Sequence, residues 1–374
     1  MSIITTVKSH LFNIPGLRTR RKILVFESDD WGSIRTPSLS ALESLKQTGL
    51  PVQNCQYMMN DALETPRDLD RLFEILQKYQ DCKGRPPKFT ANTIVANPDF
   101  EKIREGGFEE YHYEPFTETY KKHAATTATF QTFQTGIENG LFLPQLHGRE
   151  HLNISRWMRD LKAGVKEVHL AFGLQMTGIS KHITQSDRGS YQAAFDGGAK
   201  EVNYRHDVIM KDAVSLFESS FGFRPLSFIA PNYVWHKGIE DIAFELGIKY
   251  IQGSTAQNVS KDHGAPRKIS RHFMGQRNRN QQRYLVRNAH FEPTLSKQAD
   301  PVDKCLQQIN RAFLWRKPAI ITTHRVNYIG SINDENSDNS LRQLDQLLLG
   351  ILRRWPDVEF MSSDELGKLM DKNG

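Results

Sequence analysis

Apolar and polar positions follow one rhythm through most of the chain: a short apolar run, a polar turn, a helically spaced segment, then another short apolar run. Residues 22–28 (KILVFES) are mostly apolar and lead into two acids, which predicts a buried strand. Helices are predicted over 39–46 and 66–79. In the second, Thr65 stands where an N-cap belongs, Pro66 opens the first turn, and Leu69, Leu72, Phe73 and Leu76 recur at helical spacing. Further strands are expected at 87–95, 143–147, 226–230, 249–252, 283–288, 319–324 (AIITTH) and 358–361. Helices are expected at 150–161, 212–221, 238–246 and 302–315. Leu341, Leu344, Leu348 and Leu352 share one helical face, and Ser362 to Glu365 has capping-box spacing before a terminal helix. Residues 101–142 are aromatic, polar and helical in part. Residues 260–282 read as a polar, basic loop, and 172–201, rich in Gly, Ser and Gln, as a long insertion.

About eight strands separated by helices predict a parallel α/β architecture, taken as one domain over residues 1–374 with the 172–201 insertion inside it. Polar chemistry gathers at predicted strand C-terminal ends: Asp29 and Asp30, His147, Pro231 to Tyr233, and His324. In a βα-barrel those ends face one rim, where active sites are built.

Composition narrows the function classes. There is no run of eighteen apolar residues, so no transmembrane helix is expected. The first residues lack an apolar core and a small-residue cleavage site, which predicts a cytoplasmic protein. Cys55, Cys82 and Cys305 are odd in number and far apart, unlike a disulfide framework or a cysteine zinc site. The net charge of +6, with basic stretches at 18–22 and 277–283, is either a solvated surface or an attraction to an anionic partner such as a nucleotide-linked sugar, an acidic glycan or a membrane surface. No nucleic-acid module is present, so no nucleic-acid partner is expected. Oligomeric state is left open.

Two adjacent carboxylates after an apolar strand are costly unless something neutralises them, so Asp29-Asp30 is either a capped surface turn or the edge of a metal site. In His147-Gly-Arg-Glu-His151, histidines at i and i+4 would share one helix face and reach one ion; the alternative is two unrelated polar histidines. Two His and one Asp meet the ligand count of a zinc site with an open position for water, and such a site also accepts cobalt or nickel. His324 ends an apolar strand, and on a shared rim it could protonate a leaving amine. Trp31, Trp235, Asn153 and His290 are candidates to line a sugar cleft, with core or rim packing as the alternative for the tryptophans. His123, His169, His182 and His206 read as structural, and the GGAKE stretch after Asp196 is too short for a phosphate loop.

Taken in order, these motifs resemble those of the polysaccharide deacetylase family, also called NodB-homology or carbohydrate esterase 4. A strand ending in an Asp pair is matched by ESDDWG, Glu27 to Gly32. The His-Ser/Thr-x-x-His motif is matched by HGREH with Gly148 in the second place, the Arg-Pro-Pro-Tyr motif by FIAPNY (Phe228 to Tyr233), and the Leu-x-His motif by ITTH ending at His324. The set spans residues 20 to 370. The resemblance implies a distorted (β/α) barrel of seven or eight strands and removal of acetyl groups, most often N-acetyl, from sugars. It implies Asp29 as catalytic base, Asp30, His147 and His151 as ligands of a divalent metal, preferably zinc, and His324 as catalytic acid. The Tyr233 backbone N–H, after Pro231, would bind the oxyanion.

The chain departs from the family pattern twice. The third motif's Arg aligns with Ile229 or Ala230, and the Asp-Trp motif that supports the catalytic His has no match, with YIQGSTAQ (250–257) standing there. Arg287 or Arg35 is expected to supply the missing guanidinium. Two other readings stand beside deacetylation of a carbohydrate: a glycan-binding barrel with little or no activity, and metal-dependent hydrolysis of another amide or acyl group.

Overall fold

The computed structural model describes His10 and residues 13–122, 124–184, 190–197, 205–261, 266–296 and 300–372. His123, residues 198–201 of the GGAKE stretch, part of the 172–201 insertion and the side chain of His182 lie outside that description.

The architecture is an α/β barrel of eight parallel strands. They are β1 (Lys22–Trp31), β2 (Phe89–Thr93), β3 (Phe142–Leu146), β4 (Ser227–Ile229), β5 (Tyr250–Ser254), β6 (Arg283–Arg287, resuming at Ala289–His290), β7 (Ala319–His324) and β8 (Val358–Met361). Strand β1 pairs with β7 on one side; on the other it pairs first with β8 and then with β2. From β2 the sheet runs through β3, β4 and β5 to β6. The first part of β6 pairs with β5 and its continuation with β7, so one strand, stepping across at Asn288, closes the ring. The step is pinned on both sides: Asn288 N–H donates to the Ile320 carbonyl at 3.1 Å, and its side-chain oxygen accepts from Ile320 N–H at 2.9 Å.

Strand alternation divides the apolar residues of β1. Ile23 and Val25 join one core cluster, and Leu24 and Phe26 join another beneath the helices Pro66–Gln77, Pro301–Leu314 and Asp334–Arg354. The helix Pro66–Gln77 starts as the sequence predicts, with a capping box between Thr65 and Asp68 and with Leu69, Leu72, Phe73 and Leu76 buried. At the last helix the reciprocal half of the predicted box is present, Glu365 accepting from Ser362 N–H at 2.8 Å, while the Ser362 hydroxyl donates to Asp364 and Glu365. Three expectations change. The helix placed at 150–161 spans Ile154–Lys162 and leaves 147–153 as loop. Within 260–282, Ile269–Arg271 pairs antiparallel with Ala256–Val259, which in turn pairs with Val234–Trp235, making a small sheet beside the rim. Within 172–201, Lys181–Thr184 is a helical turn.

Trp31 and Trp235, expected at the sugar cleft, are both 1% exposed. Trp31 packs edge-on against Phe133 and Phe142 and donates its indole N–H to Ser28. Trp235 stacks near His272 and donates to Glu240. Burying an indole with its N–H satisfied is core packing, so neither ring is presented to a ligand. Asn153 is the cap of Ile154–Lys162, and its amide also tethers the Ala193 and Asp196 carbonyls.

Phe142 lies 4.9–6.2 Å, centroid to centroid, from Trp31, Phe73, Phe89 and Phe133. Phe142→Ala is expected to cost about 3–5 kcal/mol, read as a large fall in melting temperature. A change under about 1 kcal/mol would show that this cluster is not a unit of the core.

Candidate active site

Asp29 and Asp30 end the central strand, where regular alternation would send one side chain away from the rim. The strand is irregular there. Ser28 pairs with Ala91 but Trp31 with Thr93, so β1 carries one more residue than β2 between these pairs. Asp30 takes φ +77°, the left-handed region that L-residues rarely occupy. The bulge brings both carboxylates to the same cleft, rather than in the different directions a strand end would give. The β1–β7 register sets Asp29 directly opposite His324.

His147 follows β3, and His151 lies four residues further in an irregular loop. The i, i+4 helix face of the sequence reading is therefore not what joins them. Gly148 does so at φ +116°, a conformation that favours glycine. Arg149 then anchors the loop. Its guanidinium donates to Glu150 and Asp212, each at 2.7 Å, and lies 4.0 Å from the Tyr113 ring centre, while its carbonyl accepts from Ala96 N–H. No sequence spacing announces this anchor.

The loop delivers both imidazoles to Asp30. Nε2 of His147 and Nε2 of His151 each lie 3.3 Å from Asp30 Oδ1, and the three ligand atoms fall within 4.8 Å of one another. All three residues are buried, and Asp30 Oδ1 has no hydrogen-bond donor among the described residues. His147 Nδ1 is 3.0 Å from the Ile229 carbonyl, so a neutral ring puts its proton there and aims the Nε2 lone pair at Asp30. Burial pushes His151 down to about 3, against the pull of Asp30, so the His151 ring is neutral near pH 7. Two lone pairs facing an unpartnered carboxylate oxygen repel unless a cation lies between them. Ligands that share one ion at ~2.0–2.1 Å stand about 3.3–3.4 Å apart in a tetrahedral set, the spacing found here between Asp30 Oδ1 and each imidazole nitrogen. The donor set therefore fits a divalent metal ion.

Asp29 is held differently. Burial opposes its charge, but Arg287 outweighs it and carries the carboxyl down to about 2. Arg287 donates Nη2 to Asp29 Oδ1 at 2.6 Å and Nη1 to Oδ2 at 2.7 Å; Asn92 adds a bond to Oδ1 at 2.8 Å. The same guanidinium donates Nε to Glu27 at 2.6 Å and Nη1 to the Tyr233 hydroxyl at 2.8 Å. Of the two arginines considered, Arg287 reaches Asp29. Arg35 reaches Asp61 at 2.9 Å and stands 3.7 Å from Asp30.

His324 Nε2 stands 3.7 Å from Asp29 Oδ2, and its Nδ1 is 2.6 Å from Glu292, which also accepts from Asn327 at 2.7 Å. Burial disfavours the imidazolium, but Glu292 overrides it and raises His324 to about 9. Sequence reading missed Glu292. It lies 32 residues before His324, in a segment without a motif, and only the β6–β7 pairing brings the two together. Tyr233 and Asn232 both sit at positive φ, and Tyr233 N–H donates to the Ala230 carbonyl at 3.0 Å. That N–H is already engaged, so the oxyanion role expected of it is not carried forward. Pro231 is buried in the same turn, and His290 is exposed on β6.

Asp29, Asp30, Arg35, Tyr57, His147, His151, Tyr233 and His324 line one cleft of about 920 Å³. Fold and site together define an α/β barrel with a buried Asp-His-His cluster on its rim. No protein-family model matches the chain, and no curated protein does. Several of the solved structures similar to it are polysaccharide deacetylases. One, a putative polysaccharide deacetylase from Mycobacterium smegmatis, is 10% identical at TM-score 0.40, over 96% of this chain and 93% of that one. A probable polysaccharide deacetylase from Pseudomonas aeruginosa is 8% identical at TM-score 0.44, over 93% and 91%. A 4-alpha-glucanotransferase from Thermococcus litoralis is 9% identical at TM-score 0.44; the match covers 92% of this chain but only 40% of that enzyme. The likenesses are remote, and the functional reading rests on this chain's own residues. Among the described residues no helix is long and apolar enough to cross a membrane.

Arg287→Ala would leave Glu27 and Asp29 buried without their cation. The expected cost is about 3–5 kcal/mol at pH 7. Burial already raises Glu27 despite Arg287, and without the guanidinium it would rise further while Asp29, now held down, would also titrate above its unfolded value. The variant then holds protons that the unfolded chain gives up, and its deficit shrinks as pH falls toward 4. Melting temperatures of both proteins at pH 7 and pH 4 check this; a deficit that is small, or constant with pH, would contradict it.

Proposed function

We propose that the chain is a divergent, metal-dependent deacetylase that hydrolyses an acetyl group, foremost an N-acetyl group, on a sugar or polysaccharide precursor. The observation that carries this reading is the meeting in one cleft of a buried Asp-His-His cluster whose Asp30 Oδ1 has no donor among the described residues, a carboxylate held ionised and an imidazole held protonated. Two imidazoles and one carboxylate favour zinc, with cobalt or nickel as substitutes.

Asp30, His147 and His151 would hold the ion, which supplies Lewis acidity: it polarises the acetyl carbonyl and brings the pKa of water toward ~7. The chain's residues do the rest. Asp29 orients the attacking water and takes its proton, through the oxygen nearer His324. Arg287 and Asn92 fix that carboxylate in place. With a pKa of about 2 Asp29 is a weak base, so its part is to orient the water and receive its proton. Glu292 holds the Nδ1–H of His324, leaving the Nε2 proton to pass to the departing amine.

Two tests follow from this reading. Elemental analysis of the purified protein is expected to find near one equivalent of metal, lost in His147→Ala/His151→Ala. No bound metal after incubation with zinc, cobalt or nickel would sink the reading. His324 must be protonated to act as the acid, so kcat/KM for acetate release should fall as pH rises through about 9. Because Glu292 raises that pKa, Glu292→Gln should move the alkaline limb to lower pH. A limb that stays in place would remove His324 or Glu292 from these roles.

A further inference from the structure

The proposed reaction moves negative charge onto the acetyl oxygen, and the backbone donor expected to receive it, Tyr233 N–H, is spent on the Ala230 carbonyl. Another donor faces the same cleft. Arg35 follows the end of β1 and lines the cleft with Asp30, His151 and His324. Its place is fixed from both sides. Ile34 N–H donates to the Asn97 side chain at 2.8 Å and Thr36 N–H to the Asp61 carbonyl at 3.2 Å, while the Thr36 hydroxyl donates to the Met58 carbonyl at 2.9 Å. The guanidinium lies over the Tyr57 ring, 4.8 Å from its centre, and the same ring stands edge-on to His324 at 5.7 Å. Tyr57 is thus a floor shared by Arg35 and the imidazole assigned as acid.

Arg35 is attracted by two carboxylates without hydrogen-bonding to either. Its Nε is 2.9 Å from Asp61 Oδ2, yet that oxygen receives no aligned donor, and Asp61 gives its Oδ1 to Arg325 at 3.0 and 3.1 Å. Its Nη2 is 3.7 Å from Asp30 Oδ2, beyond hydrogen-bond reach. The five N–H groups of this guanidinium therefore have no hydrogen-bond acceptor among the described residues. Arg287 is the contrast. It spends Nε, Nη1 and Nη2 on Glu27, Asp29 and Tyr233 and is wholly enclosed, whereas the Arg35 side chain is 16% exposed and borders the cleft. Burial disfavours the charge of Arg35, and Asp30 and Asp61 hold it. Leaving the donors of a buried charge unmade is costly, so a guanidinium held by attraction and stacking alone is matched to an acceptor that arrives with the substrate.

We propose that Arg35 is the oxyanion donor of this site. It receives the acetyl oxygen as that atom becomes negative and then holds the carboxylate of the product. In the first step a lone pair of the water oxygen forms the new C–O bond, one water proton passes to Asp29, and the carbonyl π pair moves onto the acetyl oxygen, where the N–H groups of Arg35 meet it. When that pair returns, the C–N bond breaks, its electrons stay with nitrogen, and nitrogen takes the Nε2 proton of His324. The acid formed loses its hydroxyl proton to solvent, and the proton on Asp29 restores His324, 3.7 Å away. Arg35 keeps all its protons throughout and acts by preorganised donation, which is worth most where water is excluded. As a step of hydrolysis this rests on the deacetylase reading; as a statement that Arg35 receives an anionic oxygen it does not.

The test uses the full-length protein, wild type beside Arg35→Met and Arg35→Lys. Metal content is measured by elemental analysis, and kcat and KM are measured for acetate release from N-acetylglucosamine oligosaccharides. In parallel, methylphosphonate is titrated calorimetrically; its tetrahedral anionic oxygens resemble the acetyl group after water has added. Arg35→Met should keep its metal, lose about 100- to 1,000-fold in kcat with KM within about threefold, and bind methylphosphonate about tenfold or more weakly. Arg35→Lys returns the charge without the paired donors and should recover part of both. Unchanged kcat, or methylphosphonate binding that is unchanged or absent already in the wild type, overturns the proposal. So does a rise in KM alone, which would make Arg35 a contact of the bound substrate rather than of the oxyanion. Loss of metal from Arg35→Met that accounts in full for its lost activity overturns it too, because Arg35 would then only support Asp30. If Arg35→Met fails to fold, Arg35→Lys decides by the same measurements. Methylphosphonate binding that depends on Arg35, in a protein that releases no acetate from these sugars, supports the donor and sinks the deacetylase reading.

Discussion

The site depends on one buried cation. The Arg287 side chain is fully enclosed and bonds Glu27, Asp29 and the Tyr233 hydroxyl at once. Enclosing a guanidinium is expensive, and here it is matched by two carboxylates that could not be enclosed without it. From this centre a chain of polar contacts runs in two directions. Glu27 leads to the Ser363 hydroxyl at the start of the last helix, and Asp29 leads through Asn92 and Gln252 to Ser227. The interior of the barrel is therefore polar at the level of the site and apolar below it. Side chains tied at both ends cannot drift by the ångström that separates an aligned group from a misaligned one.

A second layer of charge backs the metal cluster. Arg325, itself fully buried, bonds Asp61 and Glu64; Arg35 joins Asp61 to the neighbourhood of Asp30. Glu64 also accepts from Gly32 N–H at 2.8 Å, which holds the turn just past the Asp pair. The carboxylate facing the cleft is thus embedded in alternating charges, with its own Oδ1 left to the two imidazoles. Such a site is prepared before any ligand enters, because its orienting groups are fixed by one another.

How much of this the sequence discloses depends on distance along the chain. The strands and the helix caps are local, and apolar runs, Thr65 with Asp68 and Ser362 with Glu365 place them within a residue or two. The Asp pair, the two histidines and His324 stand out because strand ends gather on one rim. What sequence does not disclose is produced by irregularity or by long-range pairing. The bulge at Asp29–Asp30 follows from a register difference between β1 and β2, and no residue type signals it. Gly148 carries the loop that replaces an expected helix, yet a glycine in HGREH reads equally well as a substitution in a motif. Glu292 and the Arg287–Asp29 contact become visible only when β6 lies across β5 and β7. The tryptophans mislead for the opposite reason: their size and amphipathic rings suit a sugar, but the same properties suit a core whose indole N–H groups find Ser28 and Glu240.

The pairing of β1 has a consequence for how the molecule comes into being. Its neighbours on the sheet are β2, made soon afterwards, and β7 and β8, made last. During synthesis from the N-terminus, an apolar strand carrying Asp29 and Asp30 must wait for almost the whole chain before both of its edges are covered. Long-range parallel pairing of this kind is slow, and an unpaired apolar edge invites association with other chains. The nascent polypeptide is thus most exposed to aggregation until β7 and β8, about three hundred residues beyond β1, have been made. Chaperone dependence would then be a property of the order in which this barrel is written, not of the stability it finally reaches.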